Sequence, residues 1–187
     1  ISLDGTKDDI GYRDISKTDS SYTFNLTDAE RKLLRTATTS NSRSIKFYVK
    51  TVLNGSTYYS SITKTFSIVN GNPTLNPTVI DSNATTIALT GNNQRMIKYF
   101  SNAQYTIGAA AVKEATLSSQ KVTCGGKSAT TASGTLNNIE SGDFVFTAID
   151  SRGNTASQTV KKTIVNYIKL TCNCEPSTPT AQGGMTL

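Results

Sequence analysis

Residues 143–163, DFVFTAIDSRGNTASQTVKKT, carry the pattern that decides the fold. Phe144, Phe146 and Ala148 fall on one face of a period-two run, with Val145, Thr147 and Ile149 on the other. Asp150-Ser151-Arg152-Gly153-Asn154 breaks the run, and Gly153 and Asn154 are the residues most willing to take φ > 0. A second run, TASQTVKKTIV, is rich in Thr and Val. The spacing predicts a β-hairpin closed by a loop of about three to five residues, with Gly153 in the left-handed region.

Working outward, the same alternation recurs through the chain, and the fold class it predicts is all-β, as two tandem immunoglobulin-like β-sandwich domains. The first is expected over residues 1–70. Tyr22, Phe24 and Leu26 alternate as a strand. Thr27-Asp28-Ala29-Glu30 then fits a capping box, which predicts a short crossover helix over 28–35. Ile45, Phe47 and Val49 alternate with Lys46, Tyr48 and Lys50, and Asn54-Gly55 is a strong hairpin signal before the return strand over 58–69. Asn70-Gly71-Asn72-Pro73 marks a short, stiff boundary.

The second domain is expected over 73–171, with strands near 78–81, 86–90, 97–100, 103–109, 116–123, 132–136, 144–149 and 155–167. Short runs separated by turn residues at this spacing are the sandwich signature. Residues 172–187, rich in Pro, Ser, Thr and Gly, read as a linker or the start of a further domain. The chain opens at Ile1 without a Met and is read as a piece of a longer protein.

Chemistry-bearing constellations are sparse. The chain has no histidine, which closes it to Ser-His, Cys-His and His-metal arrangements. No catalytic, cofactor-binding or metal-ligating residue is therefore expected, and the chain reads as non-enzymatic. Asp8-Asp9 lies in a turn-rich segment without the spacing of a calcium loop. Gly125-Gly126-Lys127-Ser128 resembles a phosphate loop but lacks its first glycine, position 121 being Lys, and reads as a turn. The sequons at Asn25, Asn54 and Asn83 are no more than a chain rich in Asn, Ser and Thr supplies by chance.

Cys172 and Cys174 are too close for an unstrained disulfide, and with Cys124 they read as free thiols of a protein folded in a reducing cytosol. The net charge of +6 and pI near 9.2 come without a nucleic-acid motif, so no nucleic-acid partner is expected. No apolar run is long enough to span a bilayer, and no membrane partner is expected. Tyr48, Tyr58 and Tyr59 are the candidates for a sugar-stacking surface.

Two longer stretches resemble a known family: residues 76–107, NPTVIDSNATTIALTGNNQRMIKYFSNAQYTI, and residues 118–173, from SSQKVTCGGKSATTASGTLNNIESGDFVF through VNYIKLTCN. Together with SYTFNLTDAERKLLRTA in the first unit, they resemble minor structural tail or tail-fibre proteins of long-tailed phages of Gram-positive bacteria. The resemblance covers about residues 20–173 and lies in the combined order of these segments. It implies a structural and adhesion module of a phage tail, folded in the host cytoplasm and carried in the virion. It also implies a homo-oligomeric parent, with other tail proteins and host wall polysaccharide or teichoic acid as partners. A carbohydrate-binding module and the stalk of a bacterial surface adhesin are the alternative readings.

Overall fold

A computed structural model of the chain describes residues 10–167. The first unit begins with an irregular segment, including a turn at Ser16–Asp19, that leads to helix α1 (Asp28–Thr36). The capping box forms as the sequence predicts: the Thr27 hydroxyl accepts from the Glu30 amide, and the Glu30 carboxylate accepts from the Thr27 amide at 2.7 Å. Glu30 also takes both terminal nitrogens of Arg13 at 2.8 Å, while the Arg13 guanidinium lies 4.6 Å from the centre of the Phe24 ring. The buried Glu30 thus ties the incoming segment to the helix.

Strands β1 (Ser42–Leu53) and β2 (Ser56–Ser67) follow as one antiparallel hairpin. Asn54 and Gly55 both take positive φ, 50° and 77°, as a two-residue hairpin turn requires. Ile45 is buried with Leu34 and Ile10, while Phe24, Leu26, Phe47 and Phe66 pack around them half-covered. This small core occupies the base of the ribbon only.

The second unit is the sandwich. Its strands are β3 (Thr74–Leu75), β4 (Thr78–Asp81), β5 (Arg95–Ile97), β6 (Ala103–Thr106) and β7 (Ala109–Ala110). They continue as β8 (Leu117–Cys124), β9 (Lys127–Ala129), β10 (Ser133–Leu136), β11 (Asp143–Asp150), β12 (Thr155–Lys161) and β13 (Thr163–Val165), with helix α2 (Ala84–Thr90) between β4 and β5. The two main sheets have the orders β10-β6-β4 and β12-β11-β8-β9, both antiparallel, while β13 pairs parallel with β5 and β3 antiparallel with β7. Val79, Ala103, Tyr105 and Leu136 from the first meet Val122, Cys124, Phe144 and Phe146 from the second in one buried cluster. The chain passes from the first sheet to the second between β6 and β8, back at β10 and again at β11, while β8–β9 and β11–β12 are hairpins within the second sheet.

The all-β class holds, and Phe144, Phe146 and Ala148 are fully buried as their alternation predicts. Two expectations differ. Among the described residues the first unit has a single two-stranded sheet, so it is not a second sandwich. Residues 22–26, expected as a strand, have no ladder partner among the described residues; Phe24 and Leu26 pack against Leu34 of α1 and Ile45 of the ribbon instead. Residues 86–90, expected as a strand, lie in α2. Asn83 caps its start, and Gly91 ends it at φ 66° with its amide on the Ile87 carbonyl. The buried Asp81 carboxylate fixes that helix by accepting from the Asn83 amide at 3.0 Å and the Thr86 hydroxyl at 2.5 Å.

The first unit should be acid-sensitive through Glu30. Hydrogen bonds from Arg13, then from the Thr27 amide, hold its carboxyl down to about 2 from the ordinary 4.5. A depressed folded pKa contributes stability that is complete above the unfolded value and is lost as pH falls from 4.5 toward 2. Chemical denaturation at a series of pH values is expected to show this loss in the wild type and a flatter profile in Glu30→Gln.

Candidate functional site

The turn between β11 and β12 places a set of polar groups against the first unit. Asp150 is 1% exposed, and its Oδ1 accepts from the amides of Arg152 at 2.8 Å and Asn154 at 2.9 Å. Its Oδ2 accepts from Asn154 Nδ2 at 2.9 Å. Burial pushes this carboxyl up, but the hydrogen bonds from Asn154 and Arg152 outweigh it and hold it below the ordinary carboxylate range. Gly153 supplies the left-handed residue at φ 81°.

The turn so fixed aims two side chains across the boundary. Arg152 Nη2 donates to the Arg35 carbonyl, the last turn of α1, at 2.7 Å. Asn154 and Asn41 exchange amide hydrogen bonds, with Asn154 Nδ2 to Asn41 Oδ1 at 3.0 Å. Beside them Arg35 pairs with Glu114 through both its Nε and, at 3.1 Å, its Nη2. Lys113 and Glu114 both take positive φ, 54° and 60°, a conformation that costs non-glycine residues about 1 kcal/mol or more. Arg152 Nε and Nη1 are buried without a protein partner, with the Asp150 and Glu114 charges nearby. The result is a polar joint locking the two units.

The ribbon is the second feature. Beyond its base, both faces of β1 and β2 are exposed, including Val49, Val52, Leu53, Tyr58, Tyr59 and Ile62. Twelve residues at about 3.4 Å each make it about 40 Å long. It carries Arg43, Lys46, Lys50 and Lys64 and no acidic residue, so the positive charge is more concentrated than local grouping in sequence suggests.

The three tyrosines proposed as a stacking surface are not brought together. The register places Tyr48 beside Tyr59 on one face, with Tyr59 opposite Lys50, whereas Tyr58 faces the other way opposite Thr51. A different aromatic group, missed in the sequence because its members are distant, stands at the end of the sandwich. Phe100 and Tyr167 meet edge to face at 4.5 Å, next to Tyr99, which takes φ 69°.

The remaining candidates have structural roles. Gly125 and Gly126 make the β8–β9 turn, with Gly125 at φ 56°. The Cys124 thiol is buried and donates to the Ser141 carbonyl at 3.0 Å; burial pushes it up to about 11. Asn83 is engaged as the α2 cap and donates to the Phe100 carbonyl. A shallow depression lined by Leu117, Ser118, Ser119, Gln120 and Thr130 holds no acidic or basic side chain. Asp8, Asp9, Cys172 and Cys174 lie outside the described residues.

No protein-family model matches the chain, and no curated protein is similar to it. Among the described residues no cluster of acidic or thiol side chains has the spacing of a metal site. No helix among them is long and apolar enough to cross a membrane.

Two substitutions test the joint. A Cβ at Gly153 meets open space, so Gly153→Val acts through backbone strain alone and should cost about 1–2 kcal/mol in urea unfolding of the sandwich. Asn154→Ala removes the side-chain donor to Asp150 Oδ2 and the partner of the Asn41 amide and should cost about 1–3 kcal/mol. It is also expected to split the calorimetric transition and to speed protease cutting at Asn70-Gly71-Asn72.

Proposed function

We propose that this chain is a non-enzymatic structural and adhesion module of a phage tail, a stiff spacer that presents an arm near the host-recognition end. The observation that carries the reading is the side-chain joint of Arg152, Asn154 and the Arg35–Glu114 pair, which fixes a compact sandwich to a unit bearing a long exposed ribbon. Rigid units with hydrogen-bonded joints transmit position and load, and repeated copies add avidity without any single strong site. The resemblance of residues 20–173 to minor tail proteins supports the phage assignment. The concentrated charge of the ribbon suits anionic wall polymers such as teichoic acid, an attraction that acts within a Debye length of about 8 Å at physiological salt.

The adhesin-stalk alternative differs in location. Gold-labelled antibody against this chain should mark the distal end of virion tails released from the strain that encodes it. Label confined to the bacterial envelope would replace the tail reading with a surface stalk. In a pull-down with purified Gram-positive walls, binding should weaken as salt rises and should fall when teichoic acid is stripped. Salt-independent binding would instead favour a pocketed glycan site.

A further inference from the structure

An asparagine followed by glycine has a chemistry of its own. The backbone nitrogen of the following residue can attack the side-chain amide carbon, and glycine, having no side chain to shield that nitrogen, permits the closest approach. The chain contains two such pairs, Asn54-Gly55 and Asn70-Gly71. The fold treats them differently.

Asn54 and Gly55 form the tip of the β1–β2 ribbon, and both are exposed. A Cβ built at Gly55 would meet nothing within 4 Å. Among the described residues no hydrogen bond holds the Asn54 side chain. The turn keeps Asn54 at φ 50°, and ring closure requires its peptide to rotate out of that turn. The pairs that resist this rotation are Leu53–Ser56, Val52–Thr57 and Thr51–Tyr58, all exposed and all beyond the packed base. A ladder end with few buried contacts opens at low cost, so the tip is the part of the ribbon that opens most readily.

Asn70 is also exposed and also at positive φ, 54°, but Gly71 is buried. The Gly71 carbonyl accepts from Asn154 Nδ2 at 3.3 Å. A Cβ built at Gly71 would lie 3.3 Å from that nitrogen and 3.7 Å from both Asn41 Oδ1 and Ile68 Cγ2. The joint between the units therefore clamps the peptide that would have to rotate.

We propose that Asn54 is a modification site, at which the folded chain converts asparagine spontaneously into aspartate and isoaspartate. The Gly55 nitrogen bonds to Asn54 Cγ, the bond from Cγ to the side-chain nitrogen breaks, and that nitrogen leaves as ammonia with the proton given up by Gly55. The product is a closed imide ring. Water adds to either ring carbonyl and the carbon–nitrogen bond there breaks. Opening at Cγ gives aspartate on the original backbone, and opening at the Asn54 backbone carbonyl gives isoaspartate, whose chain runs through Cβ and Cγ. Water is the only co-reactant.

Either product places a carboxylate on a ribbon that otherwise carries Arg43, Lys46, Lys50 and Lys64 and no acidic residue. The isoaspartate form also adds a methylene to the backbone of a two-residue turn whose geometry suits Asn-Gly, which loosens the outer pairs. The effect on wall attraction rests on the charge reading of the ribbon proposed above; the reaction itself does not.

The test is peptide mass spectrometry of the full chain after incubation in warm, mildly alkaline buffer made with isotopically heavy water. Label should enter at Asn54 several-fold faster than at Asn70. In guanidinium strong enough to unfold both units the two rates should converge, because the pairs share one chemistry once the fold is gone. Asn154→Ala should speed labelling at Asn70 and leave Asn54 unchanged. Asn54→Gln, whose longer side chain closes poorly, should abolish conversion at the tip and with it the main acidic species that anion exchange resolves from the aged, folded chain. Equal rates at Asn54 and Asn70 in the folded chain, or an Asn54 that converts only after unfolding, would overturn the proposal.

Discussion

Asp150 accepts three hydrogen bonds from within its own turn, and the contacts of Arg152 and Asn154 with the first unit are built on the shape those bonds impose. A buried carboxylate is costly unless its oxygens are met by donors. Here the donors are two backbone amides and the Asn154 side chain, so the turn has one low-energy form. That form holds Gly153 at φ 81° and points Arg152 at the exposed carbonyl end of α1, where a cation also suits the helix dipole. The partly unsatisfied Arg152 guanidinium is tolerated because two carboxylates lie near it.

The sandwich repeats the device. Asp81, also 1% exposed, accepts from the amides of Asn83 and Asn102 and the hydroxyls of Thr86 and Ser101. It ties the end of β4 to α2 and to the segment after β5. Both carboxylates are met by several hydrogen-bond donors, so these two buried acids organise the backbone around them. With the apolar cluster between the sheets, these two anchors make the second unit a self-supporting body.

The first unit stands on less. Ile10, Leu34 and Ile45 are its only buried apolar side chains among the described residues, and the Arg13–Glu30–Thr27 network supplies much of the remaining order. A core that covers only the base of a ribbon leaves the outer half dependent on its ladder and on whatever meets its edges. The joint with the sandwich ties the end of α1 and Asn41, at the base of the ribbon, to the β11–β12 turn.

The sequence by itself determined those features that depend on neighbours a few residues apart. Alternation in residues 144–148 placed the core face of β11, Thr27 and Glu30 marked the start of α1, and Asn54-Gly55 and Gly153 marked turns. Each is a local constraint of backbone geometry or capping. Residues 84–90 misled because Thr and Ile favour strands, while the Asn83 cap, the Gly91 stop and the carboxylate of Asp81 favour a helix and prevail. The expectation of a first sandwich failed because alternation reports which side chains share a face, not how many strands are present to cover it. Only the tertiary structure decided that Arg152 meets Arg35, that Asn154 meets Asn41, and that Tyr58 turns away from Tyr48 and Tyr59. These are contacts between residues far apart in the chain or set by strand register, and they follow from packing that no local pattern encodes.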